Sequence, residues 1–304
     1  MRAVSLLPAA TEICAALGAL DLVAGVTHEC DFPPAAAALP RVTRSAVPTH
    51  APPADVDAAV REAVAAGTPM FQLDEPAIAA LRPDVLLTQA LCDVCAVSAD
   101  DVCAVAARLG AAAGRAPAVV TLGGTTIGGV CDDVRRVAEA LGRPAAGEAL
   151  AAAMDARLRA VHEALAAARA PRPRVAVVEW TEPVFLAGHW GPEMVRRAGG
   201  VDVLGVAGAH STTVALEALA AADPEVVVVA PCGYGLERAA AEAEGLLADP
   251  RWAWLAGRAV WAVDANAYVS RPGPRVVDGV EALARVFNPA VFGGPDPARA
   301  RRVG

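Results

Sequence analysis

"RPAAGEALAAAMDARLRAVHEALAAARAPRPR", residues 143–174, decides how the rest of the chain is read. It holds no β-branched run and no turn dipeptide. Ala, Leu, Met and Arg, all strong helix formers, recur at helical spacing. The spacing predicts one long helix, stopped by the prolines of "APRPR". A helix of that length with strand-rich sequence on both sides predicts a connector between two halves.

Each half alternates strand-like and helical stretches. Before the helix come "AVSLL" (3–7), "LVAGV" (22–26), "DVLLT" (84–88) and "AVVTL" (118–122); after it come "RVAVVEW" (174–180), "EVVVVAP" (225–231) and "AVWAV" (259–263). Continuous apolar runs of this kind fit parallel strands covered on both faces. The expected fold class is therefore α/β: two Rossmann-like lobes joined by a long backbone helix, with a ligand cleft between the lobes. Residues 1–142 form the first lobe, 143–170 the connecting helix and 171–304 the second lobe. Open α/β sheets bind ligands beyond the carboxyl ends of their strands.

Composition excludes several classes of function. A net charge of −8 argues against nucleic acid as a partner, because phosphate neutralisation needs clustered cations. No apolar run approaches the ~20 residues of a membrane helix. All 26 Lys-plus-Arg residues are Arg, so no Walker-A lysine or Schiff base is available. The opening "MRAVSLLPAATEICAALGALD" carries one Arg, and Pro8 and Glu12 interrupt its apolar stretch, so it reads as strand and helix rather than a secretion signal. That reading predicts a cytoplasmic protein whose seven cysteines are reduced.

The residues that follow the strands carry the chemistry. "GVTHECDFPP" (25–34) brings His28, Glu29, Cys30 and Asp31 to one strand end, and "QALCDVCAVS" (89–98) brings Gln89, Cys92 and Cys95 to another. In the second half, Trp180, His189, Trp190, Cys232, Tyr234 and Tyr268 follow strands. Flat rings there would offer rigid contact area to a flat ligand. Cys30, Cys92, Cys95 and His28 could form a thiolate/imidazole site for zinc or iron; the alternative is that Cys92 and Cys95 are small buried hydrophobes. Reduced, Cys30, Cys92, Cys95 and Cys232 would be the most reactive thiols, and Cys14, Cys103 and Cys131 would be core. Trp252, Trp254 and Trp261 also read as core. "LGGTTIGG" (122–129) reads as a helix-opening turn rather than a phosphate cradle. No G-x-S-x-G elbow exists, and a cysteine-dependent enzyme would need a depressed thiol pKa beside a His.

These segments, with "ALRPDVLLTQ", "AGHWGPEMVRRAGG", "LEALAAADPEVVVV" and "SRPGPRVVDGVEALA", carry a resemblance across nearly the whole chain. The chain resembles the class III, helical-backbone substrate-binding proteins of ABC importers, within them the vitamin B12-binding branch and its cytosolic-looking subgroup. The resemblance implies a non-catalytic protein that holds cobalamin, or a related corrinoid or metal chelate, at the segments after Val26 and Thr88 and at Trp180, Trp190, Tyr234 and Tyr268. It also implies one docking glutamate per lobe for an ABC permease. Glu217 matches in the second lobe. In the first lobe the position falls on Pro76, beside Glu75.

Overall fold

The computed structural model describes residues 1–49, 51–91 and 97–304. The chain divides into two compact units, Met1–Gly124 with Gly128–Ala153, and Thr125–Ile127 with Met154–Gly304.

The first unit is built on a parallel sheet of four strands: β1 (Ala3–Ser5), β2 (Val23–Val26), β5 (Val85–Gln89) and β6 (Ala118–Leu122), in the order β2-β1-β5-β6. A separate antiparallel pair, β3 (Thr43–Ser45) and β4 (Phe71–Leu73), was not anticipated. These strands are three residues long, too short for an alternating pattern to register. β1 ends two residues before the predicted Leu7, because Pro8 opens the helix Pro8–Ala16. The order places β1 and β5 side by side with crossovers running to opposite edges, so the loops after them diverge and leave room beyond their carboxyl ends.

The second unit holds a seven-stranded mixed sheet in the order β10-β8-β7-β11-β12-β13. β7 (Arg174–Thr181), β11 (Val226–Val229) and β12 (Ala259–Val263) are the predicted strands and run parallel. β8 (Val184–Leu186), β10 (Thr212–Thr213) and β13 (Ala300–Arg302) add antiparallel edges, and β9 (Val201–Asp202) pairs with the start of β7. All four residues of β11 are buried, as a central strand covered on both faces requires.

The helix Pro144–Ala168 is 25 residues long and buries Ala151, Met154, Leu158 and Val161, the i, i+3, i+7, i+10 stripe of an amphipathic helix. Arg169 follows it at φ +47°, the left-handed geometry that closes a helix. No described helix is long and apolar enough to cross a membrane.

The thiols expected in the core divide. Cys14 is fully buried, and burial pushes its pKa up to about 12. Cys131 is half-buried, but Cys103 is exposed. Val102, Val105 and Ala106 take the inward face of its helix, Ala99–Ala113, which leaves position 103 outside. Of the tryptophans read as core, Trp252 is buried and stacks at 5.8 Å on a half-buried Trp254, and Trp261 is half-buried.

The glycine turn "LGGTTIGG" opens the helix Ile127–Ala140. The N–H groups of Gly123 and Gly124 donate to the carboxylate of buried Asp133, at 3.1 and 2.8 Å. An internal carboxylate thus occupies the place an external anion would need.

Candidate functional site

In the first unit the site is the loop that leaves β2. Thr27 is buried, His28 and Glu29 are half-buried, and Asp31 is exposed. The loop is pinned from β3. The backbone N–H of His28 donates to Thr43 Oγ1 at 3.0 Å, and Thr43 Oγ1 lies 2.7 Å from both Thr27 Oγ1 and His28 Nδ1. Arg41 Nη1 donates to the Thr27 carbonyl at 2.9 Å. Phe71 of β4 packs on the imidazole, ring centroids 5.8 Å apart. Burial, and then the Arg41 charge, hold the His28 pKa below its ordinary value, so the ring is neutral at pH 7.

A neutral imidazole carries one proton, on Nδ1 or on Nε2, and the hydroxyls can serve either form. With the proton on Nδ1, Thr43 Oγ1 accepts from His28 N–H and from Nδ1–H, and its own proton goes to Thr27; every capacity of the hydroxyl is used. Nε2 then presents a lone pair. That atom is buried and has no hydrogen-bond partner among the described residues. A histidine whose Nδ1–H is held by an oxygen while Nε2 stands unpaired has the arrangement of a metal ligand.

Cys30, two residues on, turns the other way. It is buried, with Sγ 3.0 Å from Thr11 Oγ1. Thr11 gives its own proton to Ser5 Oγ at 2.8 Å, and Ser5 donates to the Leu7 carbonyl at 3.0 Å. With both hydroxyl protons used, Thr11 Oγ1 is left to accept from the Cys30 S–H. Cys30, expected from the sequence to be among the most reactive thiols, is buried. Gln89 is buried at the end of β5. Cys92 and Cys95 lie outside the described residues. Among the described residues no group of three or more His, Cys, Asp and Glu is placed to hold a metal ion.

In the second unit the register of β7 against β8 shifts between Val178 and Trp180, a bulge that redirects Glu179 and Trp180. Trp180 meets Tyr234 edge to face at 5.7 Å, and the Arg238 guanidinium lies 3.6 Å over the Tyr234 ring. Tyr234 is buried within the apolar cluster, and Trp190 is buried with its Nε1–H donating to the Val269 carbonyl at 2.7 Å. Those two rings have no open face and act as footing. Trp180, His189 and Tyr268 are half-buried, and Cys232 is exposed. Arg299 and Arg275 stand over the Tyr268 ring at 5.0 and 5.9 Å.

His189 takes φ +49°, rare outside glycine, with its N–H on the Ala209 carbonyl at 2.6 Å. Gly188 before it has no alternative: a Cβ there would sit 2.3 Å from the Ser211 backbone nitrogen. His189 Nε2 lies 3.2 Å from His210 Nδ1, and burial followed by the His210 charge lowers its pKa. Burial raises the Glu179 pKa to about 7, against a hydrogen bond from Ser211. Thr27, Arg41, Thr43, Glu179, Ser211 and His210 were not singled out from sequence. A Thr or Ser in a short edge strand carries no chemical signature, and only the fold brings it to the site.

Glu75 and Glu217 occupy the first turns of the helices Glu75–Leu81 and Leu216–Ala221. Glu75 is clamped by Arg108 through bonds of 2.8 to 3.1 Å, which hold its pKa below the ordinary value; Glu217 is exposed.

Two α/β units with parallel strands, whose strand ends carry a poised imidazole and braced aromatic rings, define a protein built to hold a ligand. The chain matches the periplasmic binding protein family over residues 4–260 and belongs to it. It has the two-lobe α/β fold of the substrate-binding proteins that serve ABC importers, and is a binding protein rather than an enzyme. It is similar to a periplasmic heme-binding protein from Pseudomonas aeruginosa, with 26% identity over 95% of this chain and 93% of that one, TM-score 0.70. It is also similar to the periplasmic heme-binding protein RhuT from Roseiflexus sp. RS-1, with 25% identity, 95% and 98% coverage and TM-score 0.68. The periplasmic vitamin B12-binding protein BtuF of Vibrio cholerae shares the fold at 22% identity, 93% and 94% coverage and TM-score 0.64. None of the curated proteins matches. The family and these relatives overturn the cytoplasmic expectation: it rested on the character of the opening stretch, whereas the family is one of periplasmic binding proteins.

Proposed function

We propose that the chain binds a metal tetrapyrrole, with a corrinoid such as cobalamin as its ligand and His28 Nε2 as the protein's bond to the metal. The observation that carries this reading is the buried Nε2, without a partner among the described residues, beside an Nδ1 held by Thr43. Glu29, Asp31 and Gln89 share that rim. A corrinoid presents neutral amide side chains, which hydrogen-bond to polar rims of this kind. Trp180, His189, Tyr268 and Cys232 are the proposed contacts of the second unit, braced by Trp190 and Tyr234; Cys30 supports the first loop from beneath. Glu217, with Glu75, is the proposed docking pair for an ABC permease.

Haem is the second reading, favoured by the heme-binding relatives at 26% and 25% identity. Parallel absorbance titrations with aquocobalamin and haemin decide between them. The corrinoid reading expects one aquocobalamin per chain, with a shifted visible spectrum, and weaker haemin binding. Tight haemin binding with no cobalamin response would transfer the site to haem.

A further inference from the structure

The second unit has another concavity, at the opposite end of β7 from the residues above. Its volume is about 620 Å³, and it lies between the end of the helix Pro144–Ala168 and the helix Gly191–Arg197. It is bordered by Arg172, two residues before β7, whereas Trp180 and Thr181 end that strand. At ~3.3 Å per residue the two places are roughly 23 Å apart.

Its surface is mostly apolar, and arginines border it in a chain of net charge −8. Arg159, Arg169, Arg172, Arg196 and Arg197 surround it, with His162. Two carboxylates answer these guanidiniums: Asp155 pairs with Arg159, and buried Glu193 takes Arg196 at 3.4 Å and Arg197 at 3.1 Å. Arg172 is turned to the Gly200 carbonyl at 3.0 Å. Positive charge is left in excess, and clustered guanidiniums match phosphate geometry. The floor is apolar, made by Leu165, Ala166, Ala170 and Gly199. Beside Gly199 lies the buried side-chain amide of Asn288, which has no hydrogen-bond partner on either atom among the described residues: a Cβ on Gly199 would be 3.0 Å from its Nδ2.

We infer that this pocket binds a phosphorylated small molecule of nucleotide size, its phosphates on the arginine border and a flat, weakly polar body on the Leu165 floor. The volume lies within the ~300–1,000 Å³ of small-molecule sites. The site is separate from the one that follows the strand ends and does not depend on the ligand assigned there.

The test is calorimetry at low salt on the full chain with ATP, AMP and inorganic pyrophosphate, and sedimentation with phosphatidylcholine vesicles containing phosphatidylglycerol. One ATP per chain is expected, with pyrophosphate weaker because it lacks a body for the floor, and affinity that falls steeply with added salt. The exposed pair Arg159→Ala with Arg169→Ala should weaken ATP by at least about tenfold, ~1.4 kcal/mol. Arg169→Gln alone should shift it in the same direction. Melting temperature and binding at the strand-end site should be unchanged in both variants. Absence of ATP binding, equal binding of ATP and pyrophosphate, or undiminished binding in the double variant would overturn the proposal. So would vesicle binding lost on the same substitutions, which would make the surface a membrane contact.

Discussion

The two units present opposite kinds of strand end. In the first, a threonine hydroxyl holds one nitrogen of His28, and the other has no partner among the described residues. In the second, the ring faces are covered, with Tyr234 under Arg238, Trp190 bonded to Val269 and Tyr268 beneath two arginines, while the Tyr234 hydroxyl is buried without a partner among the described residues. One unit offers an atom that can form a bond and the other offers a braced surface. The difference teaches that what the neighbours of an imidazole leave open decides whether it is available to a ligand. His189 is an imidazole too, but its second nitrogen is spent on His210.

If the second surface is footing, its removal should cost stability before it costs binding. Trp190→Ala should lower unfolding free energy by about 3–5 kcal/mol in denaturant melts, since it empties a buried ring site and orphans a carbonyl. A loss below ~1 kcal/mol would show that the ring is not structural. The next effect depends on pH. Glu179 rises from an ordinary 4.5 to about 7 in the folded chain. Below 4.5 both states hold the proton; between 4.5 and 7 the unfolded chain releases it and the folded chain keeps it. Stability should therefore fall as pH climbs through that window, by on the order of 3 kcal/mol, and Glu179→Gln should flatten the slope. A slope that persists in the variant belongs to other groups.

The thiols sharpen the contrast. Alkylation of the native protein, mapped by mass, should modify exposed Cys103 and Cys232 quickly and leave buried Cys14 and Cys30 intact until unfolding. Rapid labelling of Cys30 would break the Ser5–Thr11–Cys30 chain of hydrogen bonds. The smallest effect is at the surface: Arg108→Ala releases Glu75 from an exposed clamp and should leave the melt almost unchanged. Permease-stimulated transport should respond more to Glu217→Ala than to Glu75→Ala. The reverse order would make the clamped glutamate the docking group.

The seven apolar runs, the long helix and its terminator were legible in the sequence, because periodicity and proline act over many residues. The edge strands were not: β8, β9 and β10 have two or three residues each, and pairing rather than pattern defines them. His28 and Trp180 were legible as residues that follow strands. Their environments were not, since Thr43 reaches His28 from 15 positions away and Tyr234 reaches Trp180 only through the sheet. Cys30 shows the limit most plainly. Its neighbour two residues before faces Thr43, while a helix that precedes it in the chain takes its thiol. No spacing rule separates those two fates.

The central claim is that His28 Nε2 bonds the metal of a tetrapyrrole. It is tested most directly by the visible spectrum of the aquocobalamin complex of the wild-type chain beside that of His28→Ala. The account predicts an imidazole-type shift in the wild type, absent from the variant and restored by added imidazole, with the fold unaltered by circular dichroism. An identical cobalamin spectrum in both proteins would contradict it.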